Sequence, residues 1–492
     1  MKKVYFITNT LPRIHGGRTK SLLQRAKLLN SQGQEITIIS TNYNSCYEEI
    51  YQYFIDTDKV MKNTSFINIY DYYRKKNTCS HIKKRWKNEL EQKVGLLSEY
   101  VQVLRSRVGD RRYYYRDGKP HFLIKNSEKK HPEYFALYRD WNFNPYIYYL
   151  INDEGVIHRV DHFEENNNLK FQEFLTPDGK VYLTREFSNN KKILKIRLKQ
   201  DEDYIEFPNE KEFICFFFNE IFNDDDVVVN DARFLDIPLL KANVGKRIFQ
   251  MHNPHLDNPL DSNSKIKGSF SNILNSDFPK TDIIVSLTEK QKMDIMRKVP
   301  GLEKKIVVIP HSTTQREIKY NRLSNHFGLI CRLHPQKNIK DAIKGFYLFQ
   351  KEYSDYILDI YGDGESRESL ESFADELGIQ NKVVFHGNTQ QIDRAYQSLF
   401  ALLITSDFEG FPLNALESIS NGTPIITYEV NYGPTDIVDK NSGWVVTERT
   451  PEALKNKMIE AIKNPLKIEG VLKRSLEFSE NNFIQKWNGI LK

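Results

Sequence analysis

Apolar positions at the beginning of the chain follow a strand, helix, strand pattern. The runs "KKVYFIT" (2–8) and "EITIIST" (35–41) are short and rich in β-branched residues. Between them, apolar residues recur at helical spacing over 22–29, and Gly33 predicts the end of that helix. A strand, a glycine turn, a helix and a second strand form a βαβ unit, which implies a parallel sheet.

A different pattern covers residues 101–207. The runs "YYYRDGKPHFLI" (113–124), "YIYYLINDEGVIHRV" (146–160) and "FQEFLTPDGKVYLTREF" (171–187) alternate and are rich in aromatic residues. Asp-Gly and Glu-Gly turns break these runs, which is typical of hairpins. The pattern therefore predicts an antiparallel meander, inserted into a chain that is otherwise α/β.

Strand and helix patterns alternate again from residue 225 to residue 446. The predicted strands are "DDVVVND" (225–231), "KRIFQMH" (246–252), "TDIIVSLT" (281–288), "KIVVIPH" (305–311), "NHFGLICRL" (325–333), "YILDIYGDG" (356–364), "KVVFHG" (382–387), "ALLITS" (401–406), "GTPIITYE" (422–429) and "GWVV" (443–446). Two α/β halves thus bracket one β insertion. Ligands of such folds bind at the carboxyl ends of the strands, so we expect a site there.

Composition and charge narrow the function classes. The 492 residues are 39% hydrophobic, and a net charge of +6 is mild for this length. This argues against a nucleic-acid partner, because nucleic-acid binders concentrate basic residues. The exception is "RKKNTCSHIKKRWK" (74–87), which holds seven Lys or Arg and no acid. It is either a solvated helix face or an electrostatic guide for an anionic substrate or a membrane surface.

The cysteine and hydropathy patterns predict a cytoplasmic protein. Four cysteines lie scattered without metal-ligand spacing, as reduced core thiols do. The N-terminal apolar run is too short for a signal peptide, and no run approaches the ~20 apolar residues of a membrane span. We expect at most peripheral contact with the inner face of the membrane.

The stretch "FEGFPLNALE" (408–417) joins a predicted buried strand to a predicted helix. Pro412 fits the first helical position, which leaves the N–H groups near Leu413, Asn414 and Ala415 free. Free N–H groups at a helix N-terminus favour an anion such as a phosphate.

Two acids and two cations follow strand ends in this half. Glu409 and Glu417 can each accept two hydrogen bonds from a vicinal diol, although a loop acid and a helix-surface acid fit the spacing equally. Within "CRLHPQKN" (331–338), Arg332 and Lys337 are suited to neutralise a diphosphate leaving group, although both also fit surface charges.

Two further motifs follow strands in the first half. "HGG" (15–17) opens a helix and lets a ligand approach the backbone, or makes a plain tight turn. "HNPH" (252–255) supplies an imidazole for a substrate hydroxyl, and its spacing is poor for a metal. Hydrolase, kinase and zincin motifs are absent from the sequence.

Together, "HGG", "HNPH", "RLHPQKN" and "EGFPLNALE" resemble the donor site of the retaining GT-B glycosyltransferases of family GT4. The Glu-x₇-Glu element is the most specific part of this resemblance. "YGDGESRESL" (361–370) and "NYGPTDIVDKNSGWVV" (431–446) also resemble connecting segments of that family. The insertion, "NYNSCYEEI" (42–50) and "INIYDYYRKK" (67–76) resemble the bacterial α-glycosyltransferases of wall teichoic acid.

The resemblance implies an α/β fold of the GT-B type, in which two Rossmann-like domains face a cleft. It implies an N-terminal acceptor-side domain (1–100 and 208–316), an inserted β domain for acceptor binding or oligomerisation (101–207) and a C-terminal nucleotide-sugar domain (317–475). A final helix (476–492) is expected to pack back on the N-terminal domain.

The resemblance also implies roles for individual residues. Arg332 and Lys337 would hold the UDP diphosphate, Glu417 the ribose and Glu409 the donor sugar. His252 would contact the sugar near its 6-hydroxyl, although His255 remains an alternative, and the role of His311 and Ser312 stays open. The implied catalytic residues are His252, Arg332, Lys337 and Glu409. The implied donor-binding residues are Gly16, Gly17, Arg332, Lys337, Glu409, Gly410, Phe411, Leu413, Asn414 and Glu417.

The expected reaction moves glucose or N-acetylglucosamine from a UDP-sugar, with retention, to a polyol-phosphate polymer. No metal or other cofactor is expected, because Arg and Lys replace the metal in such enzymes. The partners would be the UDP-sugar and the anionic polymer, with a homo-oligomer expected and a trimer as one candidate. Transfer of N-acetylglucosamine to Ser/Thr-rich adhesins is the competing enzyme hypothesis, and a catalytically silent partner subunit is the non-enzymatic one. The sequence does not show whether the sugar is glucose or N-acetylglucosamine, nor whether the polymer unit is glycerol phosphate or ribitol phosphate.

Overall fold

The computed structural model describes residues 3–14, 16–104, 110–128, 130–139, 144–279 and 281–492. Its strands are β1 Val4–Thr8, β2 Ile36–Ser40, β3 Ser65–Asn68, β4 Val101–Leu104, β5 Arg111–Arg116, β6 Lys119–Lys125, β7 Tyr134–Tyr138, β8 Pro145–Ile151, β9 Ile157–Phe163, β10 Leu169–Leu175, β11 Val181–Phe187, β12 Ile193–Gln200, β13 Asp203–Phe207, β14 Val227–Asn230, β15 Lys246–Gln250, β16 Ile283–Ser286, β17 Ile306–Val308, β18 His326–Ile330, β19 Ile357–Tyr361, β20 Val383–Gly387, β21 Ala401–Ile404, β22 Ile425–Tyr428 and β23 Gly443–Val446. Its α-helices are α1 Gly17–Asn30, α2 Tyr47–Asp56, α3 Ile69–Asn77, α4 Trp86–Val94, α5 Glu210–Ile221, α6 Asp236–Lys241, α7 Glu289–Lys298, α8 Ile339–Gln350, α9 Arg367–Glu376, α10 Ile392–Ser398, α11 Leu413–Ser420, α12 Pro434–Ile437, α13 Pro451–Lys463, α14 Ile468–Ser475 and α15 Glu480–Leu491.

The chain divides into two compact units. The first contains Met1–His15, Gly33–Val228 and Phe234–Gly245, and the second contains Gly16–Gln32, Val229–Arg233 and Lys246–Lys492. The borders of these two units differ from the predicted domain boundaries, which stay a prediction. Among the described residues, no helix is both long and apolar enough to cross a membrane.

The first unit contains parallel and antiparallel strands. β2 pairs in parallel with β1 and with β3, which confirms the predicted parallel sheet at the beginning of the chain. Strands β4 to β13 form a ten-stranded antiparallel sheet in which every neighbour in space is also a neighbour in sequence. The predicted meander is therefore confirmed. The β5–β6 turn shows why: Asp117 and Gly118 both have positive φ, as a two-residue hairpin requires.

The inserted sheet is covered on one face by α4. Trp86 and Leu90 of that helix pack in a cluster with Phe122 and Phe135 of the sheet. The opposite face carries a smaller cluster built around Tyr113, with further tyrosines packed against it. The alternation seen in the sequence thus separates two apolar faces, which explains the many aromatic residues on both.

The second unit contains two sets of parallel strands. β16 pairs with β15 and with β17, and a separate six-stranded sheet has the order β20-β19-β18-β21-β22-β23. Strands β19 and β20 lie on one side of β18, and β21 lies on its other side. The strand order therefore reverses between β18 and β21. Loops at the carboxyl ends of two such strands leave a crevice, where α/β proteins bind ligands. The loops after β18 and β21 contain the predicted Arg/Lys pair and Glu409.

The C-terminal helix α15 packs on α1. The guanidinium of Arg25 lies 4.6 Å from the ring centroid of Trp487, which is almost fully buried. Both helices belong to the second compact unit. The end of the chain is thereby attached to the helix that follows the first strand.

Candidate active site

Lys337 and Glu409 form a buried ion pair at the switch point of the six-stranded sheet. Lys337 Nζ lies 2.6 Å from Glu409 Oε1, and Ser406 Oγ donates to the same oxygen at 2.7 Å. Glu409 is only 7% exposed. Because a buried carboxylate is costly without a partner, this position excludes the solvated-loop alternative for Glu409.

Hydrogen bonds between loops hold this pair in place. The Gln336 side chain donates to the Phe408 carbonyl oxygen at 2.9 Å, and the Asp407 N–H donates to the Gln336 carbonyl oxygen at 2.9 Å. On the other side, the Tyr432 N–H donates to the Glu409 carbonyl oxygen at 2.7 Å. The backbone of Glu409 is therefore bonded to a neighbouring loop, which limits the positions that its carboxylate can take.

Helix α11 begins one residue later than predicted. Pro412 is the N-cap in an extended conformation (ψ 111°), and its carbonyl oxygen accepts from the Ala415 N–H at 3.1 Å. The prediction that Ala415 offers a free N–H is therefore wrong, because the helix uses that group for its first turn. The side chain of Asn414 donates to the Ile330 carbonyl oxygen at 3.1 Å, which attaches the helix start to the end of β18.

Glu417 lies in α11 and has two polar partners. Tyr396 OH donates to Oε2 at 2.8 Å, and Lys20 of α1 forms an ion pair with Oε1. Burial, followed by the charge of Glu417, raises the pKa of Tyr396 well above its ordinary value, so this hydroxyl stays a donor. A Cβ placed on Gly17 would lie 3.5 Å from Leu413 Cδ1. The start of α1 therefore lies beside the start of α11.

His252 is held by a buried carboxylate. Its Nε2 lies 2.7 Å from Asp231 Oδ1, and Arg25 forms an ion pair with the other oxygen of Asp231. Burial acts to raise the pKa of Asp231, but Arg25 and His252 together hold it below its ordinary value. Burial lowers the pKa of His252, against the opposing effect of Asp231. Burial therefore favours the neutral form of the ring.

Gly410 brings the Glu409 loop against His252. A Cβ at position 410 would lie 2.0 Å from the His252 carbonyl oxygen, so only glycine fits there. The next residue, Phe411, contacts the ring of His311 edge-on at 5.8 Å between centroids. His311 in turn stacks on His252 at 6.0 Å. These contacts give His311, whose role the sequence left open, a place beside the predicted site.

His255 has a different environment from His252. Its side chain is fully buried, and within the described residues neither ring nitrogen has a hydrogen-bond partner. It stacks on Tyr432 at 5.9 Å, and burial lowers its pKa to about 4. His255 therefore packs as a neutral ring, and the geometry favours His252 as the histidine that contacts substrate.

Arg332 and Gly16 complete the predicted set. Arg332 is exposed in the loop after β18 and has no ion-pair partner among the described residues. Gly16 is the N-cap of α1, and its carbonyl oxygen accepts from the Lys20 N–H at 3.1 Å. His15 of the "HGG" motif lies outside the described residues.

Four of the seven Lys and Arg residues of the basic segment 74–87 form ion pairs with nearby acids. Its ion pairs are Arg74 with Asp71, Lys76 with Glu220, Lys83 with Glu154 and Lys84 with Glu89. These pairs favour the solvated-surface alternative over the electrostatic guide, because a paired cation attracts a distant anion only weakly.

A group of three potential metal ligands lies in the first compact unit. Within the described residues, Cys46, Glu49 and Asp153 place ligand atoms within 4.8 Å of one another. Two of them are exposed, and exposed acids often approach this closely without an ion. The expectation that the enzyme needs no metal stays a prediction.

Several residues of this site were not predicted from the sequence. Asp231 was detectable, since it is the last residue of the predicted strand 225–231 and is the kind of acid that occupies a strand end. No local sequence pattern indicates the other site residues, which are Lys20, Arg25, Tyr396 and Ser406. Their positions depend on which helices and loops pack together, which the spacing of residues in one segment does not reveal.

Comparisons with known proteins agree with this geometry. Residues 315–482 match the profile of the glycosyl transferases group 1 family. We call this matched segment the group 1 domain. It includes Arg332, Lys337, Glu409 and Glu417, the four charged residues that the family resemblance assigns to the donor.

Two curated relatives are similar to almost the whole chain. The poly(glycerol-phosphate) alpha-glucosyltransferase of Bacillus subtilis (strain 168) is 26% identical over 98% of this chain and 74% of its own length. The poly(ribitol-phosphate) alpha-N-acetylglucosaminyltransferase of Staphylococcus aureus (strain COL) is 21% identical over 99% of both chains. The predicted resemblance to teichoic acid glycosyltransferases is confirmed.

A solved structure shows the same fold. A mutant of S. aureus TarM, in complex with Fondaparinux, alpha-GlcNAc-glycerol and UDP, superimposes with a TM-score of 0.86 at 19% identity, and the match covers all of both chains. The predicted fold class, a GT-B fold with an antiparallel β insertion in its N-terminal half, is confirmed.

Proposed function

We propose that this glycosyltransferase moves glucose or N-acetylglucosamine from a UDP-sugar onto hydroxyls of a polyol-phosphate polymer, with retention and in α-linkage. The observation that carries the proposal is the buried Lys337–Glu409 pair at the switch point of the group 1 domain. The names of the two relatives, which act on poly(glycerol phosphate) and poly(ribitol phosphate), support the choice of acceptor. We further propose that it acts in the cytoplasm.

The ion pair provides one positive and one negative group, and both can bind parts of a nucleotide sugar. Without donor, Lys337 neutralises Glu409 at 2.6 Å. When a UDP-sugar binds, Lys337 and Arg332 meet the diphosphate, and Glu409 accepts from hydroxyls of the sugar. Two positive charges at the departing diphosphate stabilise the negative charge that develops as the anomeric bond breaks. This is work that a metal ion would otherwise do.

Glu417 and His252 complete the donor site in this proposal. Glu417 accepts from the ribose hydroxyls and exchanges its Lys20 partner for them. His252, whose Nε2 proton is held by Asp231, offers Nδ1 as an acceptor for a sugar hydroxyl. A neutral ring fits this role because an imidazolium has no acceptor.

We propose that retention proceeds without a covalent intermediate on either acid. Glu409 forms an ion pair with Lys337 and, in the proposal, binds sugar hydroxyls, so neither it nor Glu417 serves as a covalent nucleophile. This differs from retaining glycosidases, in which a carboxylate forms the glycosyl-enzyme intermediate. We propose a front-face substitution in which the leaving phosphate helps to deprotonate the acceptor hydroxyl.

The direct test is a crossed assay. Purified protein is incubated with UDP-[14C]glucose or UDP-[14C]GlcNAc and with undecorated poly(glycerol phosphate), undecorated poly(ribitol phosphate) or a serine-rich polypeptide. We expect label in a polyol-phosphate polymer and an α-anomeric proton in the product by NMR. Label only in the polypeptide would support the adhesin alternative. No label in any polymer, or a β-linked product, would contradict the proposal.

The open edge of the inserted sheet supports self-association. Val101 on the edge strand β4 is 68% exposed, and it pairs with Tyr115 on the face that carries the tyrosine cluster. An exposed apolar edge strand presents unpaired backbone N–H and C=O groups, to which another chain can bind. We propose a homo-oligomer that covers this edge, with a trimer as one candidate. A monomeric mass by light scattering at micromolar concentration would contradict it.

A further inference from the structure

A continuous row of contacts connects the C-terminal helix to His252. The Arg25 guanidinium lies 4.6 Å from the Trp487 ring centroid, and the same guanidinium forms an ion pair with Asp231. Asp231 Oδ1 lies 2.7 Å from His252 Nε2. All four residues belong to the second compact unit. The row therefore joins the last helix of the chain to the predicted catalytic histidine.

The row is shielded from water. The side chains of Arg25, Asp231 and His252 are 3%, 0% and 9% exposed. Gln250 also accepts from Arg25 through its side-chain oxygen at 3.4 Å. A buried ion pair loses the solvation of both charges, and apolar residues of similar volume often stabilise a fold as well or better. Stability alone thus gives a poor reason for placing these charges next to His252.

The carboxylate decides which ring nitrogen of His252 carries the proton. An ionised Asp231 has only acceptor oxygens, so the nitrogen that faces it must be the N–H. One oxygen of Asp231 accepts from Arg25 and the other accepts from His252, so the two hydrogen bonds do not compete. Nδ1 then keeps its lone pair and can accept a hydrogen bond.

We propose that Asp231 is a positioning residue that holds His252 in the tautomer with the proton on Nε2, and that Trp487 of the C-terminal helix acts on it through Arg25. The catalytic consequence rests on the proposed function, in which Nδ1 accepts from a sugar hydroxyl. The tautomer itself does not depend on that function. Trp487 is therefore the residue of the last helix that is connected to His252.

Asp231→Asn tests the tautomer sharply. An amide has one oxygen, and the Arg25 cation attracts it, which leaves the amide NH₂ facing His252. An NH₂ group can only donate, so Nε2 must become the acceptor and the proton moves to Nδ1. The double variant Arg25→Leu with Asp231→Asn removes the cation. The amide oxygen then turns back to His252 and restores the proton on Nε2.

The measurement is the long-range ¹H–¹⁵N spectrum of protein labelled at its 12 histidines. A His252→Gln sample assigns the His252 signals. We expect the Nε2–H pattern in the wild type, the Nδ1–H pattern in Asp231→Asn and the Nε2–H pattern again in the double variant. An Nδ1–H ring in the wild type, or an unchanged tautomer in Asp231→Asn, would overturn the proposal. The wild-type spectrum decides if the variant does not fold.

Arg247 and Asp282 provide a matched control. Arg247 Nη1 lies 3.2 Å from Asp282 Oδ2, and this buried pair belongs to the same compact unit. Arg247 is in β15, the strand that precedes His252, so Asp282→Asn disturbs a comparable pair near the other end of that strand. We expect it to leave the His252 tautomer and the pH profile of transfer unchanged. A shift of either one in this control would contradict a specific role for Asp231.

Kinetics measure the consequence for transfer. Asp231→Asn should lower kcat about 10- to 100-fold, as a misplaced catalytic group does, with little change in UDP affinity by calorimetry. The double variant should recover part of this loss. Trp487→Leu should lower kcat by several-fold, whereas Gly489→Ala on the same helix, whose added Cβ meets no atom within 4 Å, should not. A wild type without transferase activity but with the predicted tautomers would refute the proposed function and leave the row of contacts intact.

Discussion

The inserted sheet, residues 101–207, and the group 1 region, residues 315–482, use charged side chains in opposite ways. In the insertion, Lys125 pairs with Glu133 at 2.7 Å, and the acid side chain is half exposed. In the group 1 region, Lys337 pairs with Glu409 at 2.6 Å, and the acid side chain is 9% exposed. The two pairs have the same composition and nearly the same length. The lysine side chains are similarly exposed (25% and 19%), so only the burial of the acid differs, and burial determines what a charge costs.

That difference separates structural charges from functional ones. Exposed ion pairs contribute only about 0–1 kcal/mol, so the pairs of the insertion mainly keep its surface polar. A buried pair is often no more stabilising than an apolar pair of the same volume. Lys337 and Glu409 therefore have little structural reason to be charged. In the proposed function, their presence is explained by a donor that carries charges and hydroxyls of its own.

The largest expected effect comes from removing a cation of the proposed donor site, with a cation of the inserted sheet as the control. Lys337→Ala and Arg332→Ala should each lower sugar transfer about 100- to 1,000-fold, because a charge that stabilises the departing diphosphate is lost. Lys125→Ala should leave transfer near the wild-type rate. The rates are measured with radiolabelled donor, and far-ultraviolet circular dichroism verifies folding. Equal losses in all three variants would remove the distinction between the two regions.

Glycines offer a second test of the same contrast. Gly410→Ala places a Cβ 2.0 Å from the His252 carbonyl oxygen, so the Glu409 loop must move and transfer should fall about 100-fold. Gly489→Ala in α15 meets no atom within 4 Å and should stabilise the fold by up to about 1 kcal/mol. Transfer assays and denaturant unfolding measure the two outcomes. Wild-type activity in Gly410→Ala would show that the loop position is unimportant.

A core truncation tests whether the insertion depends on aromatic packing as strongly as its sequence suggests. Phe135 is fully buried and stacks on Tyr149 at 4.5 Å. Phe135→Ala should lower the free energy of unfolding by about 3–5 kcal/mol. Tyr204→Ala, at an exposed position of β13, should change it by less than about 0.5 kcal/mol. UDP affinity below the unfolding transition should stay unchanged, and its loss would argue that the insertion holds the donor.

The smallest expected effect is a change in the pH dependence of stability. Burial lowers the pKa of His255 to about 4, so the unfolded chain binds this proton at a higher pH than the folded chain does. Stability is therefore lost as the pH falls from about 6.5 toward 4, by up to about 1.4 kcal/mol per pH unit. His255→Phe keeps the packing on Tyr432 and should make this slope shallower.

His158 in the inserted sheet is the matched position for that slope. Burial lowers its pKa to about 3, and its Nδ1 forms a hydrogen bond with Tyr43 OH. His158→Phe should reduce the pH slope as well, but it should also cost stability at neutral pH, because Tyr43 loses its partner. Denaturant unfolding from pH ~7 to pH ~4.5 compares the two variants. An unchanged slope in His255→Phe would show that this ring is accessible to protons.

Much of the fold was predictable because its signals are local. The predicted strands and the antiparallel meander follow from alternation, apolar runs and Asp-Gly turns, each of which acts over a few residues. The helix start at Pro412 was one residue early, since proline fits both the N-cap and the first helical position. Among the predicted site residues, Glu409 and Lys337 were identified by motif, but neither their mutual contact nor their burial was visible in the sequence.

The element types, the inserted meander, and the acids and cations that end the strands of the group 1 domain could be predicted from the order of residues. Those features depend on backbone geometry, turn chemistry and short spacings, which the order of residues specifies directly. Three other features became visible in the folded chain: Asp231 contacts His252, Lys20 and Tyr396 both bind Glu417, and His255 is packed as a buried ring. These facts depend on burial and on contacts between distant segments, and burial sets the energetic cost of every charge and hydrogen bond.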